Sequence, residues 1–319
     1  MISLRVILAS LLFSIVGISH GQSYPSKPIR FITGYPAGSA SDNVARTLGH
    51  KLAEMYGQQV LVDNRPGAAG NIAAEISAKS PPDGYTILLA ATNHAIVSSL
   101  YSKLPFDPVA DFAPVALVST APTILVVHPS LPITSVSEFV TFMKSKPGEL
   151  SYGSSGNGAS PHLNMELLKS LTGMKITHVP YKGIPQALTE LIGGQIHAMF
   201  STMAPAMPLV RSGKLRAIAV SGGKRAPAVP EVPTVAETIP GFESLSWQGV
   251  LAPSGTPPQI VNDLNAKIVK IVHMPDVSKR LIDSGFDPVG SSPEQFEAFI
   301  KAESKKWAKV VKAAGAKLD

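Results

Sequence analysis

The hydrophobic pattern along this chain repeats one unit: a short apolar run, a loop of small residues, then an amphipathic helix. From Pro28 it predicts a strand over 29–33, followed by the loop Gly34-Tyr35-Pro36-Ala37-Gly38-Ser39-Ala40-Ser41. Val44, Leu48, Leu52 and Met55 then recur at i, i+4, i+8 and i+11, the spacing of one buried helix face. Asp42 or Ser41 can cap that helix, and Gly57 ends it. A second strand is predicted over 59–62. A glycine loop from Pro66 to Asn71 leads into a helix through Ala78, and Pro81-Pro82-Asp83-Gly84 is a turn. Residues 85–91 form a continuous apolar run, the pattern of a parallel strand covered on both faces.

The second half repeats the order. A strand over 150–152 precedes the loop Gly153-Ser154-Ser155-Gly156-Asn157-Gly158-Ala159-Ser160. Leu163, Leu167, Leu168 and Leu171 mark one helix face, and Gly173 stops it. A strand over 176–180, a helix opening at Tyr181-Lys182-Gly183-Ile184-Pro185, and a strand over 195–200 complete the unit. Two such runs predict two similar α/β lobes, each a mainly parallel sheet flanked by helices and built from right-handed crossovers. The apolar stretch 115–128 is suited to cross from one lobe to the other, and 247–251 to cross back. One more strand is predicted over 215–220, and the proline-rich segment 227–240 is a rigid connector. Amphipathic helices over 260–271 and 296–311 return to the first lobe, with Trp307 anchoring the last. The expected division is 22–121 plus 247–319 for the first lobe and 122–246 for the second.

Composition narrows the function. The chain has 319 residues, 28 Lys+Arg against 22 Asp+Glu, and no Cys. Without Cys there are no disulfides, thiolate metal sites, Fe–S clusters or Cys nucleophiles. The net charge of +6 is spread along the chain, with no basic block of the nucleic-acid type. Arg5 precedes an apolar run from Val6 to Ile18, too short for the roughly 20 residues of a membrane span. Ser19 and Gly21 occupy the −3 and −1 places of a cleavage site, which predicts a signal peptide over 1–21, cut between Gly21 and Gln22. An exported protein independent of disulfides fits a bacterial periplasm.

Each lobe places a Gly/Ser loop between a strand and a helix, where open α/β sheets bind ligands. The helix N-terminus offers unpaired N–H groups and about half a positive charge. Two such loops facing one another would grip a small anion. Four hydrogen bonds to a carboxylate at ~1.5–3 kcal/mol each, less an association cost of at least ~4 kcal/mol, give a binder in the micromolar range or weaker unless apolar contacts, such as Tyr35, add to it.

Enzyme motifs are missing. No Walker A pattern occurs, and Gly153-Ser154-Ser155-Gly156-Asn157 fails G-x-S-x-G at its last position. The eight His form no H-x-x-x-H pair, so no metal site and no cofactor is predicted. A hydrolase built on Ser155 and His162 would need two residues of one loop and helix to meet, and nothing in their spacing brings them together. His94 is suited either to the cleft or to the start of a helix. His162 is suited to capping or packing, Lys182 and Arg65 to solvent, and Trp247 to the cleft or to packing.

Several motifs in order carry a resemblance. They are Tyr35-Pro36-Ala37-Gly38-Ser39-Ala40-Ser41-Asp42, Asn64-Arg65-Pro66-Gly67-Ala68-Ala69-Gly70-Asn71, Pro82-Asp83-Gly84-Tyr85-Thr86-Ile87 and Tyr181-Lys182-Gly183. Gly213-Lys214-Leu215-Arg216-Ala217-Ile218-Ala219-Val220, Val232-Pro233-Thr234-Val235-Ala236-Glu237 and Ala252-Pro253-Ser254-Gly255-Thr256-Pro257 continue it. Together they resemble the Bug family of tripartite tricarboxylate transporter solute-binding proteins over nearly the whole mature chain. The resemblance implies a two-lobed periplasmic-binding-protein (Venus flytrap, type II-like) fold, with no catalytic residue. It implies a monomeric receptor that closes on a small organic carboxylate (a dicarboxylate, tricarboxylate or aromatic carboxylate) and delivers it to the membrane permease subunits of a tripartite transporter. A receptor feeding a two-component kinase would use the same closure. Carried over, the binding residues are Tyr35, Ala37, Gly38, Ser39 and Ala40 in the first lobe and Ser154, Ser155, Gly156, Asn157 and Gly158 in the second. Thr92 and Ser201, at the third-strand ends, would line the floor. Family members commonly carry Asp where this chain has His197 and Ser201. The missing carboxylate at Ser201 points to a ligand without an amino group.

Overall fold

The computed structural model describes residues 24–101 and 103–314. The signal peptide and its cleavage site lie outside the described residues. The first lobe opens with β1 (Ile29–Thr33), α1 (Ala40–Tyr56), β2 (Val60–Asn64), α2 (Asn71–Ala78), β3 (Thr86–Ala91) and α3 (Asn93–Leu100). β1 pairs in parallel with β2 on one side and β3 on the other, giving the order β2-β1-β3. After α4 (Val136–Ser145), the second lobe repeats this with β5 (Ser151–Ser154), α5 (Ser160–Thr172), β6 (Thr177–Pro180), α6 (Ile184–Ile192), β7 (Ala198–Thr202) and α7 (Met203–Arg211). Here β5 lies between β6 and β7, again all parallel. Both lobes thus place their loops at the carboxyl ends of parallel strands.

Two strands join the lobes. β4 (Phe112–Val127) pairs antiparallel with β9 (Leu245–Pro253) along its first part and with β7 and β8 (Arg216–Val220) along its second. β9 closes the first sheet by pairing antiparallel with β3. A short strand, β10 (Asp287–Pro288), pairs with β4 at Ser119 and Thr120.

Burial follows the predicted faces. Val44, Leu48 and Leu52 of α1 are buried against Phe31 and Ile87, each contributing about 1.5–3 kcal/mol. Leu163, Leu167 and Leu168 of α5 are buried as predicted, but Leu171 is 43% exposed. α8 (Pro258–Val272) and α9 (Pro275–Asp283) cover the first lobe. α10 (Pro293–Ala314) departs from the expected return to that lobe. Phe296 and Ile300 pack with Trp247 and Leu251, whereas Trp307, Val310 and Val311 pack with Tyr152, Leu163 and Phe200 of the second lobe. A helix of this length spans about 33 Å, enough to reach both cores.

Candidate functional site: the cleft between the lobes

A cavity of about 410 Å³ opens between the lobes, within the size range of small-molecule sites. Five helices begin at it. Ala40 and Ser41 come from the start of α1, Asn93 from α3, Ser160 from α5, Ile184 from α6, and Met203 and Ala204 from α7. Each helix start carries N–H groups without an intrahelical partner, and each favours an anion by about 0.3–1 kcal/mol. The crossing strands supply the floor through Ala121, Pro122, Ser246, Trp247 and Gln248. Phe286 adds an apolar wall. No lining residue is Asp, Glu, Lys, Arg or His.

Two residues of the floor carry buried polar atoms. Trp247 Nε1 and Gln248 Oε1 are buried without a hydrogen-bond partner among the described residues. Gln248 Nε2 donates to Ser41 Oγ at 3.2 Å, which ties the floor to the start of α1. Thr92 Oγ1 accepts the Trp247 N–H at 2.9 Å. Burial raises the Tyr35 phenol to about 12, so it stays a neutral donor at neutral pH.

Of the sequence-derived residues, Tyr35, Ala40, Thr92 and Ser155 line this cavity. The others sit around it. Ala37 and Gly38 are exposed on the first loop, and Ser39 caps α1 by accepting the Asp42 N–H at 3.2 Å, a role assigned above to Asp42 or Ser41. Asp42 instead reaches back: its carboxylate accepts the Gly38 N–H at 2.8 Å, Arg46 Nε at 2.9 Å and Asn64 Nδ2 at 2.8 Å. Those donors hold its pKa below the usual carboxylate range, against the opposing effect of burial. Asn64 Nδ2 also donates to the Tyr35 carbonyl at 3.0 Å, so Asp42 and Asn64 together fasten the first loop.

In the second lobe Gly153 and Ser154 belong to β5, so the loop starts two residues later than predicted. A Cβ at Gly153 would lie 2.4 Å from Ile196 Cδ1, so that side chain would have to shift to admit one. Ser154 is buried, and its Oγ lies 2.6 Å from His178 Nε2 while accepting the Gly156 N–H at 3.1 Å. Gly156 is half-buried, Asn157 is exposed, and buried Gly158 donates its N–H to His162 Nδ1 at 3.0 Å. Ser201 is buried inside β7, and the strand runs on to Thr202, which takes the predicted place at the floor.

The histidines mostly pack. His94 is buried between Phe106 and Phe112, bonded to the Pro108 carbonyl at 2.8 Å, and burial lowers it to about 4. His197 Nδ1 accepts the Ser151 N–H at 3.1 Å. Ser155 and His162 share no hydrogen bond. Among the described residues no group of three or more His, Asp or Glu side chains is placed to hold a metal ion. Sequence reasoning missed Asn93, Thr202, Met203, Gln248 and Phe286. The rule that a strand's carboxyl end meets a helix start, applied to β3 and β7, would have found the first three.

A two-lobed α/β receptor with a neutral cleft ringed by helix starts is the architecture of a solute-binding protein. The comparisons agree. A family model described as "Tripartite tricarboxylate transporter family receptor" matches residues 44–316. Protein BugT of Bordetella pertussis is 37% identical over 300 residues, covering 93% of this chain and 92% of BugT. An R. palustris protein solved with adipate is 38% identical with a TM-score of 0.77, covering 92% of this chain and all of that one. MatC from Rhodopseudomonas palustris with bound malate is 32% identical with a TM-score of 0.73, covering 90% of this chain and all of MatC. The chain belongs to the tripartite tricarboxylate transporter receptor family.

Proposed function

We propose that this protein is a periplasmic receptor that captures a small organic carboxylate lacking an ammonium group and hands it to the permease of a tripartite transporter. The observation that carries this reading is the lining of the cleft: five helix starts and neutral donors, with no charged side chain. Helix starts favour a carboxylate without any cationic residue. An ammonium group would enter a buried site with no carboxylate to meet it, at a substantial desolvation cost. The position that would supply one holds Ser201, whose Oγ donates instead to the Thr202 carbonyl at 3.0 Å. Relatives solved with adipate and malate, both amine-free acids, agree with this choice.

The binding residues in this reading are Tyr35, Ala40, Thr92 and Ser155 in the cleft, with Ala37, Gly38, Ser39, Ser154, Gly156, Asn157, Gly158 and Ser201 shaping the loops and floor around it. In this reading the lobes are 22–121 with 247–319 and 122–246, except that the second half of α10 reaches across to the second lobe, and they close about β4 and β9. The test is calorimetry with adipate, malate and benzoate beside aspartate and glutamate. Tighter binding of an amine-free acid is expected. Tighter binding of either amino acid would overturn the proposal.

A further inference from the structure

Behind the second loop three rings are stacked. Tyr152 of β5 lies 4.9 Å from His178 of β6, and His178 lies 4.0 Å from His162 of α5 with the two imidazoles within 9° of parallel. Each imidazole holds one end of the loop tip. His162 Nδ1 accepts the Gly158 N–H at 3.0 Å. His178 Nε2 meets Ser154 Oγ at 2.6 Å, and that oxygen in turn bonds the Gly156 N–H and lies 3.1 Å from the Gly156 carbonyl. The tip needs holding, because Gly156 and Gly158 adopt φ of 123° and 74°, and glycine gives up much conformational freedom when fixed.

We propose that His162 and His178 are positioning residues for the bound solute, fixing the Gly156–Gly158 tip so that Ser155 and the start of α5 face the cleft. The inference rests on the carboxylate reading above. To accept an N–H, His162 Nδ1 must be unprotonated. Face-to-face stacking also favours two neutral rings, since two imidazolium ions at this separation repel. The groups around the pair are Tyr152 from β5 and Glu166 and Lys169 from α5. Glu166 accepts from Tyr152 and Lys169 at 2.6 Å each and lies 4.0 Å from His162 Nε2. The first lobe solves the same problem with Asp42, one charge of which is offset by Arg46. In the second lobe the group bonded to the loop is an imidazole, and the nearest carboxylate, Glu166, sits behind it, paired with Lys169.

The experiment compares His162→Ala, His162→Asn and His162→Asp with His178→Gln in the full chain. Amide hydrogen exchange at Gly156 and Gly158 is measured without solute, and calorimetry uses adipate and malate as probes. His162→Ala should speed exchange at the tip but not in β1 or the first loop. It should weaken probe binding roughly five- to tenfold, the scale of one lost hydrogen bond. His162→Asn keeps an acceptor near the Nδ1 position and should recover most of that loss. His162→Asp should keep tip exchange slow yet bind the anions more weakly at low salt, with the deficit shrinking as salt is added. His178→Gln, which keeps a polar group opposite Ser154, should give a smaller change at Gly156. Unchanged tip exchange in His162→Ala, or equal weakness of the Ala and Asn variants, would overturn the proposal. If neither probe binds wild type, the carboxylate reading fails while exchange still decides the role of the histidines.

Discussion

The two cradle loops use the same backbone device with different chemistry. In each, the third residue of the helix reaches back four positions to a glycine N–H: Asp42 to Gly38 and His162 to Gly158. The first loop is clamped by a carboxylate that is further tied to Arg46 and Asn64. The second is clamped by a neutral imidazole inside a ring stack. The difference teaches that hydrogen-bond geometry and charge can be separated. The first clamp is a carboxylate that its donors hold below the usual carboxylate range, while the second is an imidazole whose basicity burial lowers.

The largest effect that would sharpen this contrast comes from placing a carboxylate in each tip. Gly156→Asp should weaken solute binding tenfold or more, ~1.4 kcal/mol at least, by adding a like charge and a strained φ. Gly38→Asp carries backbone strain too, at a φ of 79°, but should cost less affinity, because that residue is exposed and off the cavity lining. Equal losses in calorimetry would break the comparison.

Asp42→Ala comes next. It strands the Gly38 N–H and Arg46, and should lower unfolding stability in urea by about 1–3 kcal/mol with a loss of affinity. Asp42→Asn, which keeps an acceptor, should recover part of both.

Acid should then separate the loops. His178 is lowered to about 4, chiefly by burial and then by the charge His162 would carry, and His162 is lowered by burial. A group with a depressed basic pKa binds fewer protons folded than unfolded, so its stabilisation is lost as pH falls from the ordinary value of about 6.5 towards the folded one. Asp42, lowered in the other class of group, keeps its contribution above the usual carboxylate value of about 3.9 and loses it only below that. The protection of the Gly158 amide, its exchange relative to the intrinsic rate at each pH, should therefore fall as pH drops below the ordinary imidazole value of about 6.5, while the protection of Gly38 holds down to the carboxylate range. His94, also lowered to about 4, adds to the global loss over the same range, so the readout must be local. A simultaneous loss of protection at both glycines would refute the assignment.

The smallest effect concerns the caps. α1 begins at Ser39, whose side chain caps it, whereas α5 begins at Ala159 without a side-chain cap. Ser39→Ala should cost about 1 kcal/mol in urea unfolding, and no corresponding loss exists to be made at Ala159.

The repeated lobes, the order of their elements and the crossing strands were legible because buried parallel strands and amphipathic helices leave periodic patterns. Glycines misled the reading where tertiary packing chose them. Gly153 reads as loop but sits in β5, close against the end of the Ile196 side chain. α7 went unread because Pro205 and Pro208 interrupt its pattern, and α9 because it is short and strongly polar. β7 was placed too early, which shifted the expected floor residue from Thr202 to Ser201. The loops could be located, yet not which of their atoms face the cleft, because that depends on Asp42, His162 and His178 behind them. A helix start next to each strand end was available as a rule, but its convergence from both lobes exists only in three dimensions.

The last helix has a consequence for how the chain is made. Because Phe296 and Ile300 complete one interior and Trp307, Val310 and Val311 the other, neither half can finish burying its apolar surface until residues 293–314 have been synthesised. Loosening this one helix should therefore destabilise both halves together rather than one alone.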